Sequence, residues 1–151
     1  MTELRYRLRS TTPADLPALL AVHEAAFRPL VETRFDWDPA AQVGHVETGL
    51  EAAQVIEAID GEGPPALAGE LRLEDRPDAL FLARIMLHPT WQGRGLGRQI
   101  LQDLIARAAA RQVPLLLSVW ENNRARGLYQ RLGFEVTHQE GFRVKMRLLP
   151  G

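Results

Sequence analysis

Alternation of apolar and charged residues predicts a strand at each end of the chain. Near the N-terminus, Tyr6 and Leu8 alternate with arginines. At the C-terminus, apolar residues alternate with Arg and Lys along Phe142–Leu149, which follows the segment Phe134–Gln139. Alternation with a period of two places one kind of residue on each face of a strand. We therefore expect a first strand with one face in water and a final hairpin.

Apolar residues at helical spacing predict four helices. The first starts at Thr12–Asp15, where a hydroxyl cap, a proline and an acid favour a helix N-terminus. A weaker pattern predicts a second helix at Pro39–Leu50. Gly133 ends the last helix, as expected just beyond a helix C-terminus. The residues that carry the other periodic patterns are Leu16, Leu19, Leu20, His23 and Phe27, then Leu96, Ile100, Leu101, Leu104, Ile105 and Ala108, then Ala125, Leu128, Tyr129 and Leu132.

Continuous apolar runs predict central strands. Ala79–His88 is apolar apart from one arginine, and Leu115–Trp120 is a second such run, so both are expected to be buried on both faces. Gln54–Asp60 and Leu67–Glu74 are predicted as further strands. With no repeat or linker in its 151 residues, the chain is predicted to be a single domain, residues 1–151, with a mixed α/β sheet and helices on both faces.

Composition narrows the classes of function. The absence of cysteine excludes disulfides, thiolate metal sites and cysteine nucleophiles, and it fits a cytoplasmic protein. The four histidines show no metal-ligand spacing, so no metal is predicted. A net charge of −1 gives no general attraction to nucleic acid, and no apolar run reaches the length of a membrane span.

A glycine-rich segment follows the apolar strand that contains Arg84. It contains Gly93, Gly95 and Gly97 and leads directly into a predicted helix. Glycines allow close approach of a ligand to the backbone. The first amides of a helix and its dipole attract anions, and Arg94 and Arg98 can add charge-assisted contacts. The segment is therefore a candidate site for phosphate or pyrophosphate.

The spacing of the glycines leaves more than one ligand open. A glycine-rich turn can be only a tight connection, so the spacing alone does not decide between a turn and a phosphate site. The pattern lacks the Gly-Lys-Ser/Thr of nucleoside triphosphatases and the spacing of a dinucleotide fingerprint. A nucleotide-binding domain for ATP or NAD nevertheless stays as an alternative.

Two motifs resemble the GNAT superfamily of N-acetyltransferases. The first is an apolar strand, a proline and then Gln/Arg-x-x-Gly-x-Gly/Ala at the start of a helix, which Leu87–Pro89 and Gln92–Gly97 match without a gap. The second is Asn-x-Ala-x-x-Leu-Tyr-x-x-Leu-Gly-Phe, which Asn123–Phe134 matches. The region Phe27–Gln42 also resembles a bacterial branch of the family.

The resemblance implies a fold and a cofactor, acetyl-CoA. In that fold the sheet has about seven mostly antiparallel strands, and the fourth and fifth strands splay apart to admit the pantetheine arm. The resemblance places the pyrophosphate on the glycine loop and gives Asn123 a cofactor contact, although some family spacings select Asn122. A helix cap explains either asparagine equally well. The implied cofactor residues are Ile85, Met86, Leu87, Gln92, Gly93, Arg94, Gly95, Leu96, Gly97, Arg98, Asn123 and Tyr129.

Tyr129 resembles the family's general acid, which protonates the leaving thiolate of CoA. Without the resemblance, its helical spacing would favour a core aromatic residue. The general base is not apparent. Relatives carry a glutamate where this chain has Ser118, or on the fourth strand where it has Phe81 and Met86. The remaining candidates are Glu32, Glu70, Glu121 and His88.

The resemblance implies direct attack of a primary amine on acetyl-CoA in a ternary complex. Glu32 and Asp36 belong to an acidic run and are predicted to bind a cationic acceptor, either a small molecule or a peptide. A non-catalytic domain that binds or senses acyl-CoA is the alternative with the same fold. The sequence is compatible with either a monomer or a homodimer.

Overall fold

The computed structural model describes residues 3–151, so Met1 and Thr2 of the predicted domain lie outside it. Its strands and helices follow the predicted order. They are β1 (Leu4–Ser10), α1 (Leu16–Val31), α2 (Pro39–Glu47), β2 (Gln54–Asp60), β3 (Ala66–Arg76), β4 (Ala79–Leu87), α3 (Leu96–Arg111), β5 (Leu115–Trp120), α4 (Ala125–Arg131), β6 (Glu135–Glu140) and β7 (Arg143–Leu148).

The boundaries differ from the predicted ones by a few residues, and local backbone geometry explains the largest difference. Helix α2 ends at Glu47 rather than Leu50 because Thr48 is extended and Gly49 has a φ of 83°. A left-handed glycine is a common helix end. Helix α1 follows a turn in which the Asp15 carboxylate accepts a hydrogen bond from the Thr12 amide at 2.8 Å, so the predicted start signal is present.

The strands form a seven-stranded sheet in the order β1-β2-β3-β4-β5-β7-β6. Strands β1 and β2, β2 and β3, β5 and β7, and β6 and β7 are antiparallel. Strands β4 and β5 are parallel, and their pairing joins Leu80–Leu82 to Leu115–Leu117 at the beginning of both strands. The mixed, mostly antiparallel sheet confirms the predicted fold class.

The chain divides into two compact units. The first contains the residues up to Arg72 together with Arg84–Gly97. Its core joins α1 and α2 to the end of β4 through Leu19, Val22, Val46, Leu50 and Met86. The second unit contains Leu73–Ala83 and Arg98–Gly151, and its buried side chains include Leu101, Leu115 and Met146.

Strand β4 departs from the prediction that it is buried on both faces. Its two ends are buried, but Ala83 is exposed, and Arg84 and Ile85 are only partly buried. The pairing of β4 with β5 ends at Leu82, and Ala83, Arg84 and Ile85 are the residues that follow this point. No helix within residues 3–151 is long and apolar enough to cross a membrane.

Candidate active site

A glutamine side chain links the segment after β4 to the end of that strand by a hydrogen bond. The Gln92 side-chain amide donates to the Leu87 carbonyl at 2.8 Å. Pro89–Trp91 forms a single 3-10 turn, and the His88 ring accepts a hydrogen bond from the Thr90 amide at 3.1 Å. Both side chains therefore shape the loop, and His88 has a local role that explains its position.

The glycine loop has an open backbone. Gly93 and Gly95 have φ values of 71° and 91°, which favour glycine, and a Cβ built on either would meet nothing within 4 Å. The Gln92 amide donates to the Pro89 carbonyl at 3.2 Å. In the turns and loops of residues 3–151, the amides of Gly93, Arg94 and Gly95 donate to no carbonyl. Because α3 starts at Leu96, these amides adjoin the positive end of a helix, an arrangement that fits an anion such as pyrophosphate.

Arg94 lies beside this loop with partners that the local sequence does not reveal. Its guanidinium pairs with Asp60 at 3.0 Å and lies over the Trp91 ring at 4.8 Å. Asp60 ends β2, far away in sequence, so no nearby pattern could have indicated the pair. The predicted contact of Arg94 with the cofactor would have to compete with this ion pair.

The other predicted cofactor residues on β4 and α3 differ in how much side chain they expose. Met86 is 2% exposed and Leu96 is fully buried, so the side chain of neither residue is available to a ligand. Ile85 and Gly97 are partly buried, and Arg98 is exposed.

Tyr129 lies on α4 and is 6% exposed. Its ring meets Phe134 edge-on with 5.7 Å between ring centroids. Burial raises the pKa of the Tyr129 phenol to about 12. The phenol therefore stays protonated at neutral pH and is able to donate a hydrogen bond or a proton.

Asn123 and Ser118 lie in the same unit as Tyr129. The Asn123 side-chain oxygen accepts from the Ala125 amide, the first amide of α4, at 2.9 Å, although the N-cap residue of that helix is Arg124. Its side-chain NH₂ group keeps its donors for another partner.

The Ser118 hydroxyl is buried, and it has no hydrogen-bond partner among the described residues. An unpaired buried polar group is uncommon and often marks the place of a water or ligand.

The remaining candidate acids differ sharply in burial. Glu32 is exposed and pairs with Arg28 at 3.3 Å, and Asp36 is also exposed. Glu121 accepts from Gln139 at 2.6 Å. Glu70 on β3 is fully buried, which the alternating pattern of that strand did not indicate.

A cavity of about 350 Å³ lies in the first unit. It is lined by α1 and by the segment that begins α2, including His23, Trp37 and Gln42. Neither Glu32 nor Asp36 is among its lining residues, so the two acidic residues predicted to bind the acceptor do not face this cavity.

The family model of the acetyltransferase (GNAT) domain matches residues 52–136, more than half of the chain. The match includes the glycine loop, Ser118, Asn123 and Tyr129. The chain therefore belongs to the GNAT acetyltransferase family and is an acyltransferase. Both the predicted family and the predicted enzyme class are confirmed.

Two bacterial proteins and one solved structure illustrate this relationship. An L-methionine sulfoximine/L-methionine sulfone acetyltransferase of Pseudomonas paraeruginosa is 44% identical over 143 residues, which cover 87% of this chain and 81% of that protein. A protein of the same name from Pseudomonas aeruginosa is 29% identical over the same coverage. The PaiA N-acetyltransferase of Thermoplasma acidophilum, solved in complex with coenzyme A, superposes with a TM-score of 0.74 at 15% identity, covering 95% of this chain and 98% of that one. The similarity to the Thermoplasma acidophilum structure shows that this chain shares its fold.

Proposed function

We propose that this protein transfers an acetyl group from acetyl-CoA to a primary amine by direct attack in a ternary complex. The observation that carries the proposal is the open glycine loop before α3. Its amides have no acceptor in the turns and loops of residues 3–151, and both left-handed glycines face open space. Such a loop fits the pyrophosphate of coenzyme A.

The resemblance to the family supplies the residues that would hold the cofactor, and they lie on β4, in the glycine loop, on α3 and before α4. The backbone of Ile85 and Leu87 would pair with the amides of the pantetheine arm. The amides of Gly93–Gly97 would bind the pyrophosphate. The Asn123 side-chain NH₂ group would contact the cofactor while its oxygen accepts from the Ala125 amide. Acetyl-CoA supplies the thioester carbonyl that the amine attacks.

Tyr129 is proposed to act as the general acid. As the nitrogen–carbon bond forms and the carbon–sulfur bond breaks, the sulfur gains charge and needs a proton. Burial raises the pKa of the Tyr129 phenol to about 12, so the phenol is fully protonated at neutral pH and can donate a hydrogen bond that stabilises the charge developing on the sulfur. The amine nitrogen loses its own proton in the same overall transfer.

No carboxylate occupies the positions where relatives carry a base. Ser118 has only a hydroxyl, and Phe81 and Met86 have no ionisable group. Glu32 and Glu121 are paired with neighbouring side chains. We therefore propose that the neutral amine, supplied by its equilibrium with the ammonium form in solvent, is the reactive species.

The acceptors to test first come from the two Pseudomonas proteins, whose names specify amino-acid derivatives. L-methionine sulfone and L-methionine sulfoximine are therefore the first compounds of an amine panel. The panel also contains polyamines, as a test of the predicted cationic acceptor at Glu32 and Asp36, and a peptide with a free N-terminus.

Calorimetry followed by turnover tests the proposal. Purified protein is titrated with acetyl-CoA, CoA, ATP and NAD, and release of free thiol is then measured with each amine. Binding of the CoA species alone, with thiol release that requires an amine, is the expected result. Equal binding of ATP, or no binding of CoA, would refute the cofactor assignment. Tight acetyl-CoA binding without turnover on any amine would favour a sensing domain.

A further inference from the structure

A buried charged cluster joins β3 and β4 to α1 and α2 in the first unit. We call it the Arg84 cluster, and it consists of Glu70, Arg72, Arg84, His23 and Gln42. Glu70 is fully buried and lies between the two arginines, and its second carboxylate oxygen has no partner among the described residues. Two arginines stand against one glutamate, so the carboxylate of Glu70 cannot neutralise both guanidinium groups.

Arg72 uses its donors within the protein. Its Nε pairs with Glu70, and its two terminal nitrogens donate to the carbonyls of Thr48 and Val46 at 2.5 and 2.6 Å. These carbonyls lie at the C-terminal end of α2, where a cation is favourable. Arg72 is therefore a structural residue.

Arg84 leaves most of its donors unused. Its Nη2 donates to the His23 ring and approaches the Met86 sulfur at 3.3 Å. Its Nε lies 3.4 Å from Glu70 and makes no hydrogen bond. Within residues 3–151, Nη1 has no partner either. The side chain is only 19% exposed, and burial lowers the pKa of Arg84.

His23 fixes the direction of this guanidinium. A guanidinium only donates, so the His23 Nδ1 must accept, and the proton of the neutral ring is on Nε2. That nitrogen donates to the Gln42 side-chain oxygen at 2.7 Å. Burial lowers the pKa of His23, in agreement with a neutral ring. His23 therefore holds Arg84 without neutralising it and without occupying Nη1.

The position of Arg84 connects these unused donors with the proposed reaction. The pyrophosphate is proposed to bind the loop after Leu87, so Ile85 would meet a part of the pantetheine arm that is farther from the pyrophosphate and nearer to the thioester. Arg84 directly precedes Ile85. The guanidinium also lies over the Phe27 ring at 5.3 Å, which keeps it close to α1. A carboxylate is a strong acceptor for charge-assisted hydrogen bonds from a guanidinium, and among the described residues Nη1 of Arg84 has no competing acceptor.

We infer that Arg84 binds the carboxylate of the acceptor, so that the acceptor is an amino acid rather than a simple amine or a polyamine. This inference rests on the proposed function, because it assigns a substrate class to the same reaction. The competing explanation is that the cluster only holds α1 and α2 against the sheet.

The test compares two acceptors that differ only in a carboxylate. One is the best amino-acid acceptor of the panel, starting with L-methionine sulfone, and the other is the amine formed by its decarboxylation. Arg84→Met should raise KM for the amino acid about 10- to 100-fold, the usual worth of charged hydrogen bonds, and leave kcat/KM for the decarboxylated amine unchanged. Arg84→Lys keeps the charge and should recover part of the loss.

Arg72→Met is the matched control, since it removes the other arginine beside Glu70. It should lower the melting temperature and leave the preference between the two acceptors unchanged. An Arg84→Met variant that loses activity equally on both acceptors would refute the inference, as would a wild-type enzyme that prefers the decarboxylated amine. If no amine at all is acetylated, the proposed function fails instead.

A second measurement does not depend on the folding of any variant. The carboxylic acid that lacks the amino group of the same acceptor should inhibit the wild-type enzyme competitively against the amino acid. The decarboxylated amine, which has no carboxylate, should inhibit much less. Absence of inhibition by the acid would also overturn the inference.

Discussion

Gly95 offers a direct test of the glycine loop, because a glutamate there adds both bulk and negative charge where the pyrophosphate is proposed to bind. The structure allows the substitution sterically, since a Cβ on Gly95 meets nothing within 4 Å. The φ of 91° will cost about 1–2 kcal/mol with any side chain. The new side chain will therefore extend into open space in front of the loop amides.

The size of the effect follows from the charges. A carboxylate about 5 Å from a phosphate, at an effective dielectric constant of about 20, is repelled by about 3 kcal/mol. That energy corresponds to an affinity about 100-fold weaker. We therefore expect Gly95→Glu to weaken acetyl-CoA binding by about two orders of magnitude or more.

The assay is calorimetric titration of wild type and variant with acetyl-CoA, together with thermal unfolding of both. Gly141→Glu is the matched control, because Gly141 also has a positive φ, 61°, and its Cβ also meets nothing within 4 Å. It lies in the turn between β6 and β7. Both variants should lose similar stability, but only Gly95→Glu should lose affinity. Unchanged affinity in Gly95→Glu would refute the placement of the pyrophosphate.

Three further expectations follow from burial and local geometry. Tyr129→Phe should lower kcat about 100-fold and leave acetyl-CoA affinity intact, and an unchanged kcat would assign the proton to another donor. Gly69→Ala should lower the melting temperature by the equivalent of about 3 kcal/mol, because its Cβ would lie 1.8 Å from the Met86 carbonyl oxygen. Gly44→Ala, with nothing within 4 Å, should not lower it, and equal losses would contradict this reasoning. A hydrogen bond from Arg9 lowers the pKa of Asp15 to about 2. The ionised Asp15 carboxylate therefore stabilises the folded state above about pH 4, and this stabilisation is lost as the pH falls towards 2. Asp15→Asn should therefore lower the melting temperature at neutral pH and progressively less in acid, and a constant difference across that range would argue against the ion pair.

Most of the fold was predictable because its signals are local. The alternation in β7, the apolar run of β5 and the proline and glycine signals around α3 each lie within one element. Each such pattern reflects the burial of one face or both faces of that element. The end of α2 also has a local signal, because Gly49 has a φ of 83° and a left-handed glycine is a common helix end, as at Gly133.

The candidate site was predictable only in part, for the same reason. The glycine loop and Tyr129 lie in short motifs, so sequence alone indicates them. The Arg94–Asp60 ion pair joins distant segments, and no local pattern predicts it. Glu70 lies in a strand of mixed pattern, and its complete burial depends on contacts from other elements.

The alternation of β4 explains how one strand can serve both substrates. Arg84 and Met86 point to the same face, as the 3.3 Å contact between Nη2 and the sulfur shows, and Met86 belongs to the core formed with α1 and α2. In the proposed reaction the backbone of Ile85 and Leu87 binds the acyl donor, and the side chain of Arg84 selects the acceptor. Side-chain substitutions at Arg84 should then change acceptor preference without changing cofactor affinity. A family that keeps the backbone pattern of this strand is free to vary its acceptors in this way, because backbone hydrogen bonds do not depend on which side chain lies between them.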